Sequence, residues 1–350
     1  MNRTNRALAA VLAFLTPVAA LAAPPAGAVA ERTAGGQLAV SWTSAGPVDV
    51  LLAEQPGASP AQAKLVSPRD SDGKYLATDA TAPRSYFILR DARTGETTRV
   101  AERLLPLEGG SNFRDIGGYA TASGRHVRWG MIYRSGGTPM LTPADLNRIQ
   151  GLGLANMVDL RSSEERVIAP SRIDGIPYTA VGYSMMPLIS NVNRSSEATY
   201  RGFPTMLAPQ IKQIFGKLLS RQAPLAYNCS AGQDRTGFTT AVVLTALGVP
   251  HDTIEADYHL STLYRRPENE MPKLSPAMQE TSPVAAYFGR TLGDPVVRKP
   301  QPLYTADGTS YLSFALDEVK KNWGSVEGYL AAEAGVTKAD LVRLRAAYTE

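Results

Sequence analysis

Residues 224–248 constrain the fold of this chain more than any other stretch. The run "PLAYN" (224–228) is short and apolar, as expected of a buried strand, and "FTTAVVLTALG" (238–248) has helical character and ends in glycine. The loop between them, "CSAGQDRTG" (229–237), is polar and contains two glycines. A buried strand joined by a short loop to an apolar helix is typical of the α/β class, in which helices cover a sheet.

The chain from residue 106 onward repeats this alternation. "LTPADLNRIQGLG" (141–153) predicts a helix with Thr142 as its N-cap, and "LANMVDL" (154–160) predicts a buried strand. "MLAPQIKQIFGKLLS" (206–220) places most of its apolar residues on one helical face. We therefore predict that residues 106–350 form an α/β domain with a central, mostly parallel sheet flanked by helices.

Residues 31–105 show a different pattern. Short β-type runs, "QLAVSW" (37–42), "VDVLLAE" (48–54), "SYFILRD" (85–91) and "ETTRVAERL" (96–104), are separated by turn sequences such as "SAGP" and "SDGK". This spacing predicts a small all-β sandwich that resembles fibronectin type III or immunoglobulin-like domains. No catalytic constellation occurs in it, so we expect an accessory domain.

The N-terminus has the layout of a secretory signal peptide. Arg3 and Arg6 precede an apolar, alanine-rich run, and small-x-small sites follow near Ala22 and Ala28. Prolines interrupt and close the run before it reaches the length of a membrane-spanning helix. We expect residues 1–28 to be removed, which would leave an exported protein, periplasmic or secreted, with no stable membrane anchor.

Composition argues against several classes of partner and cofactor. Loss of the two leader arginines lowers the formal net charge from +4 to +2, and the chain has no lysine and arginine block with interleaved aromatic residues. We therefore expect no nucleic-acid partner. None of the three histidines is in ligand spacing with the single cysteine, so we expect no metal site. Composition specifies no oligomeric state.

Cys229 is the only cysteine, so an intramolecular disulfide is impossible. Such a thiol is either a small buried hydrophobe or a reactive group. Its surroundings favour a reactive group, because Arg235 can offer a planar fork to two phosphoryl oxygens and Gly232 lets the loop turn with its amides inward. Gly237 allows close approach where the helix begins, and Thr236 places a hydroxyl near the sulfur. The helix N-terminus favours both a bound anion and the thiolate.

The pattern Cys-x2-Gly-x2-Arg-Thr-Gly resembles the phosphate loop of the cysteine-dependent protein tyrosine phosphatases. The closest resemblance is to the bacterial branch whose loop reads His-Cys-x-x-Gly-Lys-Asp-Arg-Thr-Gly. Further segments match that branch in order, among them "SNFRDIGGY" (111–119), "VDLRSSEER" (158–166) and "DYHLS" (257–261). The resemblance spans roughly 110–350 and leaves the N-terminal domain outside it.

The resemblance implies a role for each residue of the loop. Cys229 is the expected nucleophile, Arg235 the phosphate clamp and Asp234 the general acid. Thr236 is expected to ease departure of the thiolate. The residues expected to contact the substrate phosphate are Ser230, Ala231, Gly232, Gln233 and Gly237. This chemistry requires no metal and no organic cofactor.

Two aspartates are candidates for the general acid. Many members of the superfamily carry this aspartate on a separate loop before the cysteine, but residues 176–228 contain none. Asp234 is part of the loop that holds the leaving group, which favours it. Asp159 lies at the end of a predicted strand, and pairing with Arg161 or a neighbouring loop is an equal alternative to a catalytic role.

Four further residues are expected to support or modify the loop. Arg114 and Asp115 of "NFRD" are expected to hold it through ion pairs. Asn228 stands where the family commonly has histidine, and it can still orient the loop through hydrogen bonds. Gln233 stands where the family commonly has lysine, so the pocket lacks that cation. We therefore expect reduced activity on phosphoinositides and retained activity on monophosphate esters.

These observations predict a phosphatase that hydrolyses phosphomonoesters through a phosphocysteine intermediate. The expected substrate is a phosphorylated protein, foremost phosphotyrosine, or a small phosphomonoester. Two alternatives stay open: a phosphoinositide or inositol polyphosphate phosphatase, and a catalytically silent phosphate-binding module. Residues 265–310 are rich in proline and lack periodicity, so we expect an irregular insertion there.

Overall fold

The computed structural model describes residues 24–78, 84–190, 195–293 and 299–350. Residues 1–23 of the predicted signal peptide lie outside the described residues. Two units follow one another along the chain, a β-sandwich and then an α/β domain.

The N-terminal unit is built from two antiparallel sheets. Its strands are β1 (Ala26–Arg32), β2 (Leu38–Thr43), β3 (Val48–Ala53), β4 (Lys64–Asp70), β5 (Lys74–Ala77), β6 (Tyr86–Asp91) and β7 (Thr97–Ala101). The strand order is β1-β2-β5 in one sheet and β4-β3-β6-β7 in the other. Val40 and Trp42 of the first sheet and Val50 and Phe87 of the second are buried in one shared apolar core. The predicted β-sandwich is confirmed.

Four of these strands confirm predicted runs, and β1, β4 and β5 were not predicted. β1 is mostly exposed and rich in alanine, so its sequence lacks the alternation that identifies a strand, and its pairing with β2 defines it. β4 contains Pro68, which is tolerated because this strand lies at a sheet edge. β1 begins before the expected domain start at residue 31, and its residues 26–28 overlap the expected leader.

The second unit contains the predicted central, mostly parallel sheet. Its strands are β8 (Arg114–Asp115), β9 (Ile132–Ser135), β10 (Asn156–Asp159), β11 (Tyr178–Ala180) and β12 (Leu225–Asn228). The order is β11-β10-β12-β9-β8. Among the described strands of this sheet, β9 to β12 are parallel and the short edge strand β8 is antiparallel.

The carboxyl ends of three neighbouring strands meet at one edge of this sheet. Asn228 of β12 is the register partner of Asp159 in β10 and of Ser135 in β9. In open α/β sheets the residues after such strand ends line the ligand-binding crevice. Cys229 follows Asn228 directly, so the sheet delivers the thiol to that edge.

Helices cover the sheet. They are α1 (Pro143–Gln150), α2 (Ser163–Ile168), α3 (Met186–Ile189), α4 (Ser196–Leu219), α5 (Asp234–Leu247), α6 (His251–His259), α7 (Ser261–Tyr264), α8 (Pro276–Thr281), α9 (Pro283–Gly293), α10 (Tyr311–Trp323), α11 (Val326–Tyr329) and α12 (Lys338–Tyr348), with a π-helical turn at Leu330–Ala334 and 3-10 turns at Pro60–Gln62 and Pro267–Asn269. Thr142 caps α1 as predicted, since its hydroxyl accepts a hydrogen bond from the N–H of Asp145. None of the described helices combines the length and the hydropathy needed to cross a membrane.

The region expected to be irregular, 265–310, instead contains α8 and α9. Pro276 and Pro283 are the first residues of these two helices. Proline is well suited to that position because its fixed φ matches the helix and its missing N–H would have had no intrahelical partner. Two of the prolines that suggested an irregular segment are therefore helix starts.

A buried ion pair joins the sandwich to the α/β domain. Arg84, just before β6, lies 2.7 Å from Asp115 of β8, and the two side chains are 7% and 0% exposed. Arg84 also donates a 2.7 Å hydrogen bond to the hydroxyl of Tyr133 in β9. Close by, the indole of Trp129 donates to the carbonyl of Arg99 in β7 at 3.1 Å. The two units therefore share a polar contact that is shielded from solvent.

Candidate active site

The loop between β12 and α5 holds most of the candidate residues. Cys229 begins it and is 2% exposed. Asp234 opens α5, and Arg235 lies in the first turn of that helix. The thiol is free and buried, so it lies beneath the surface at the positive end of a helix.

The carbonyl groups of this loop are bound by residues outside it. The N–H of Gly137 donates to the carbonyl of Ser230 at 2.8 Å. The side-chain amide of Asn112 donates to the carbonyl of Gly232 at 2.8 Å and to that of Ala231 at 3.2 Å. These bonds hold the loop carbonyls away from its interior.

The backbone N–H groups of the same loop stay available. From Ser230 to Arg235, none of them donates a hydrogen bond to the described parts of the chain. Successive unbonded N–H groups at the start of a helix form an anion-binding site. The loop is therefore arranged to receive a group such as phosphate.

A buried ionic cluster stands behind the loop. Asp257 of α6 pairs with Arg134 at 2.6 Å and with Arg114 at 3.1 Å. Arg134 also donates to the carbonyl of Gly232 at 2.8 Å, and Arg114 donates to the side-chain oxygen of Asn112. Burial alone would raise the pKa of Asp257, but the two arginines lower it well below its usual range. Asp257 is thus ionised, and the cluster fixes Asn112 and Arg134, the two side chains that bind the carbonyl of Gly232.

Two glycines are required by this packing. Gly232 has φ +64°, and a Cβ there would lie 2.4 Å from the backbone nitrogen of Gly136. A Cβ on Gly237 would lie 2.7 Å from the ring of Tyr258. Neither site has room for a larger residue.

Arg235 is held in place by Glu165 of α2. The two terminal nitrogens of the guanidinium each donate a 2.7 Å hydrogen bond to one oxygen of Glu165, and Nη1 also donates to the hydroxyl of Tyr183 at 2.6 Å. The Nε–H and the second Nη2 hydrogen have no partner among the described residues. These two groups form the other edge of the guanidinium, a fork suited to two phosphoryl oxygens.

The ionisation of Glu165 supports this arrangement. Burial would raise the pKa of its carboxyl, but Arg235, assisted by Ser230 and the N–H of Ser162, lowers that pKa to about 2. Burial would likewise lower the pKa of Arg235, and Glu165, Tyr183 and Cys229 together raise it well above its usual value. Both partners are charged at neutral pH.

Asp234 is partly exposed and is bonded on one side. Its Oδ1 accepts hydrogen bonds from the hydroxyl of Tyr200 in α4 and from the amide of Gln233. The structure therefore places this carboxylate on the loop itself, within the same turn as Arg235.

Thr236 and Asn228 each have an unused polar atom. Both side chains are buried, and within the described residues neither Oγ1 of Thr236 nor Oδ1 of Asn228 has a hydrogen-bond partner. The amide nitrogen of Asn228 donates to the carbonyl of Cys229 at 3.3 Å.

The two other aspartates named from the sequence, Asp159 and Asp115, are each paired with an arginine. Asp159 is 0% exposed, receives hydrogen bonds from the guanidinium of Arg161 at 2.6 to 3.0 Å and accepts another from Tyr178. Asp115 pairs with Arg84 and also accepts backbone hydrogen bonds, so it acts at the domain junction rather than on the loop. Neither carboxylate is available to a substrate.

Sequence reasoning missed several residues that hold the site. They are Asn112, Arg134, Glu165, Tyr183, Tyr200, Asp257 and Arg265. Asn112, Glu165 and Asp257 lie in segments that resemble the family, but no role was inferred for them from the resemblance. For Glu165 there was also a physical signal, because Ser162-x-x-Glu165 is a capping box that marks the start of α2. That signal predicts a helix start and says nothing of the distant Arg235.

Chemically, the site combines a buried thiol, an anion-binding loop, a free guanidinium edge and a carboxylate. The described residues contain no group of three or more histidine, cysteine, aspartate or glutamate side chains placed to hold a metal ion. The arrangement suits nucleophilic attack on a bound phosphoryl group.

Comparison with known proteins identifies the family. The sequence profile of the tyrosine phosphatase family matches residues 105–350. A protein of Cupriavidus necator assigned as a tyrosine-protein phosphatase is 32% identical over 255 residues, which cover 68% of this chain and 85% of the relative. The triple specificity protein phosphatase PtpB of Mycobacterium tuberculosis is 29% identical over 288 residues, with coverages of 70% and 98%. A tyrosine-protein phosphatase of Nostoc commune is 25% identical over 215 residues, with coverages of 59% and 69%. With a profile match that covers the whole α/β domain, this chain belongs to the tyrosine phosphatase family.

Proposed function

We propose that this protein is a cysteine-dependent phosphatase that hydrolyses phosphomonoesters, foremost phosphotyrosine in proteins. One observation carries the proposal: a buried thiol begins a loop whose N–H groups from Ser230 to Arg235, like one edge of its arginine, have no hydrogen-bond partner in the part of the chain that the structure describes. A packing cysteine would need neither of these features. A phosphoryl group bound by the loop N–H groups and by Arg235 would lie next to the sulfur.

The first step forms a phosphocysteine. The thiolate of Cys229 attacks phosphorus, and a sulfur–phosphorus bond forms as the ester phosphorus–oxygen bond breaks. Arg235 and the loop N–H groups stabilise charge on the three remaining oxygens. Asp234 gives its proton to the departing oxygen, so the product leaves as a neutral alcohol or phenol.

The second step releases phosphate. Water attacks phosphorus and gives a proton to Asp234 as the sulfur–phosphorus bond breaks. The thiolate then re-forms. We expect the buried hydroxyl of Thr236, which has no hydrogen-bond partner among the described residues, to donate a hydrogen bond to that sulfur as the phosphate leaves. No metal or organic cofactor takes part in either step.

The burial of Cys229 favours phosphotyrosine as substrate. At 2% exposure, the sulfur is reached by a phosphate carried on a long, flat arm more readily than by one close to a peptide backbone. The names of the relatives, a tyrosine-protein phosphatase and a triple specificity protein phosphatase, agree with a protein substrate. Phosphoserine peptides, phosphoinositides and phytate are the necessary comparison substrates.

We also propose that the protein works outside the cytoplasm. The leader-like N-terminus supports export. Because β1 begins at Ala26, cleavage at the site near Ala22 would leave the sandwich complete, whereas cleavage after Ala28 would shorten β1. N-terminal sequencing of the mature protein distinguishes the two sites.

The test of function is phosphate release without added metal. A phosphotyrosine peptide, a phosphoserine peptide, phosphoinositides and phytate are compared for the wild type and for Cys229→Ser, with phosphate binding measured for both. We expect turnover that is fastest on phosphotyrosine and absent in the variant, which should still bind phosphate. An inert wild type that binds phosphate would instead favour the silent binding module.

A further inference from the structure

Asp234 is anchored through one of its two carboxylate oxygens. Oδ1 accepts hydrogen bonds from the hydroxyl of Tyr200 and, at 3.1 Å, from Nε2 of Gln233. Oδ2 accepts none from the described residues. An oxygen that already accepts two hydrogen bonds is the poorer site for a further proton, so protonated Asp234 carries its proton on Oδ2.

Tyr200 is a rigid donor. Its side chain is 4% exposed, and its ring packs against Phe203 and Tyr311 with centroids 4.8 and 5.6 Å away. Burial first, and then the neighbouring Asp234, raise the pKa of Tyr200 well above its usual value. The hydroxyl therefore keeps its hydrogen at neutral pH and donates it to the carboxylate.

A second tyrosine fixes the direction of that bond. The hydroxyl of Tyr258 lies 2.5 Å from the hydroxyl of Tyr200. Each hydroxyl has a single hydrogen, and Tyr200 uses its own on Asp234, so Tyr258 donates to Tyr200. The ring of Tyr258 packs against Gly237 in the first turn of α5, the helix that Asp234 opens.

Gln233 is fixed from the opposite side. Its side-chain oxygen accepts a 2.9 Å hydrogen bond from Arg265, so its amide nitrogen must face Asp234. Arg265 is itself held by Glu270 through bonds of 2.9 and 2.7 Å. Gln233 is 9% exposed, so this contact is shielded from water.

We propose that Tyr200 and Gln233 are positioning residues for Asp234, and that they keep Oδ1 anchored and leave Oδ2 as the oxygen that exchanges the proton. The proposal rests on the proposed role of Asp234 as general acid. It assigns a purpose to Gln233 other than attraction of substrate. It also explains how an acid on the phosphate loop is oriented without a separate acid-bearing loop.

The proton then follows one path in both steps. As the ester bond breaks, the Oδ2–H bond breaks and its proton moves to the departing oxygen. As water attacks the phosphocysteine, the proton of that water moves to Oδ2. Oδ1 keeps its two donors throughout, so the carboxylate does not rotate between the steps.

Dependence on the leaving group tests the proposal. A nitrophenolate leaves readily without a proton, whereas a phenolate needs one, so loss of acid orientation slows phenyl phosphate more than p-nitrophenyl phosphate. General acid catalysis contributes roughly 100- to 10,000-fold. We expect Tyr200→Phe to lower kcat/KM for phenyl phosphate, which reports formation of the phosphocysteine, by about 10-fold, with a much smaller change in kcat/KM for p-nitrophenyl phosphate.

Tyr329→Phe is the matched control. It also removes one buried tyrosine hydroxyl bonded to α4, since Tyr329 donates to the carbonyl of Pro204 at 2.8 Å. That hydroxyl does not reach Asp234. Its loss should leave the ratio of the two kcat/KM values unchanged, even where it lowers stability.

Asp234→Asn and Gln233→Leu complete the set and separate the outcomes. The proposal predicts that Gln233→Leu behaves as Tyr200→Phe does, so Gln233→Leu decides the matter if Tyr200→Phe fails to fold. Suppose that Asp234→Asn alone slows phenyl phosphate more than p-nitrophenyl phosphate, and that neither Tyr200→Phe nor Gln233→Leu does so. That result would overturn the inference and leave the proposed function intact. If Asp234→Asn slows the two substrates equally, Asp234 is not the general acid and the inference fails. The proposed attack by Cys229 would not be affected by that result.

Discussion

The carboxylate of Glu165 binds both terminal nitrogens of Arg235 at 2.7 Å, across 70 positions of sequence. Its oxygens also accept the hydroxyl of Ser230 at 2.6 Å and the N–H of Ser162 at 2.8 Å. One buried group therefore connects the start of α2, the phosphate loop and the phosphate-binding arginine. The guanidinium is fixed in the plane that leaves its Nε edge free for substrate.

Replacement of Arg235 by lysine tests whether phosphate binding needs the planar guanidinium group. A lysine keeps the charge but cannot bind Glu165 and two phosphoryl oxygens in one plane. We expect Arg235→Lys to lower kcat on a phosphotyrosine peptide by at least about 100-fold, the range found when a transition-state donor is lost. Inorganic phosphate should also inhibit the variant more weakly. Arg343→Lys, at an exposed surface pair, is the control and should keep both values.

The Glu165 pair should also appear in stability as pH changes. The pKa of Glu165 falls from 4.5 to about 2 in the folded protein, which corresponds to about 3 kcal/mol. Because the folded pKa is the lower one, this stabilisation is complete above pH 4.5 and is lost as the pH falls toward 2. In urea unfolding, Glu165→Gln should be less stable than the wild type at pH 7, and the difference should narrow between pH 4.5 and 3.

Glu327→Gln controls for removal of a carboxylate as such. Glu327 is 44% exposed and only weakly paired. Its variant should therefore unfold like the wild type both at pH 7 and between pH 4.5 and 3. A Glu165→Gln penalty that stays constant with pH would show that shape, and not charge, is what Glu165 contributes.

The sequence predicted the parts of the site that are local. Cys229, Gly232 and Arg235 belong to one strand–loop–helix unit, so their spacing alone indicates the chemistry. Glu165 and Tyr200 reach the loop only through tertiary packing, and each has a local explanation, as a helix cap or a core aromatic, that conceals its second role. A single sequence contains no signal for such pairings.

The same limit applies to the domain junction. Asp115 was expected to support the phosphate loop, but the structure pairs it with Arg84 of the sandwich. Arg84 lies outside the segment that resembles the family, so the resemblance could not indicate this partner. β1 was likewise missed because its exposed alanines carry no strand pattern.

The Arg84–Asp115 pair predicts strong coupling between the two units. Removal of one partner leaves a buried charge without compensation, which costs roughly 3–5 kcal/mol. We expect Arg84→Met to destabilise the protein by about that much, and the double variant with Asp115→Asn to recover part of it. Arg90→Met breaks a pair whose arginine side chain is 37% exposed and should cost about 1 kcal/mol or less. Equal losses for Arg84→Met and Arg90→Met would argue against a buried contact between the units.

Gln233 provides a test of substrate range. We predict that Gln233→Lys raises kcat/KM on phosphoinositides relative to a phosphotyrosine peptide, because it restores a cation beside the loop. Arg265 donates to Gln233 at 2.9 Å and would face the new ammonium group, so the stability of the variant is measured alongside its activity. Gln233→Met controls for loss of the amide. An unchanged ratio of the two kcat/KM values would exclude this position as the cause of reduced phosphoinositide activity.

Trapping the phosphocysteine intermediate tests the proposed role of Cys229 directly. The protein is mixed with p-nitrophenyl phosphate, quenched in acid within the first turnovers and digested, and the peptide that contains Cys229 is examined by mass spectrometry. We expect phosphate on the sulfur of Cys229, and more of it in Asp234→Asn, because that variant lacks the base that assists hydrolysis of the phosphocysteine. Rapid turnover with no phosphate on Cys229 in either protein would show that this thiol is not the nucleophile.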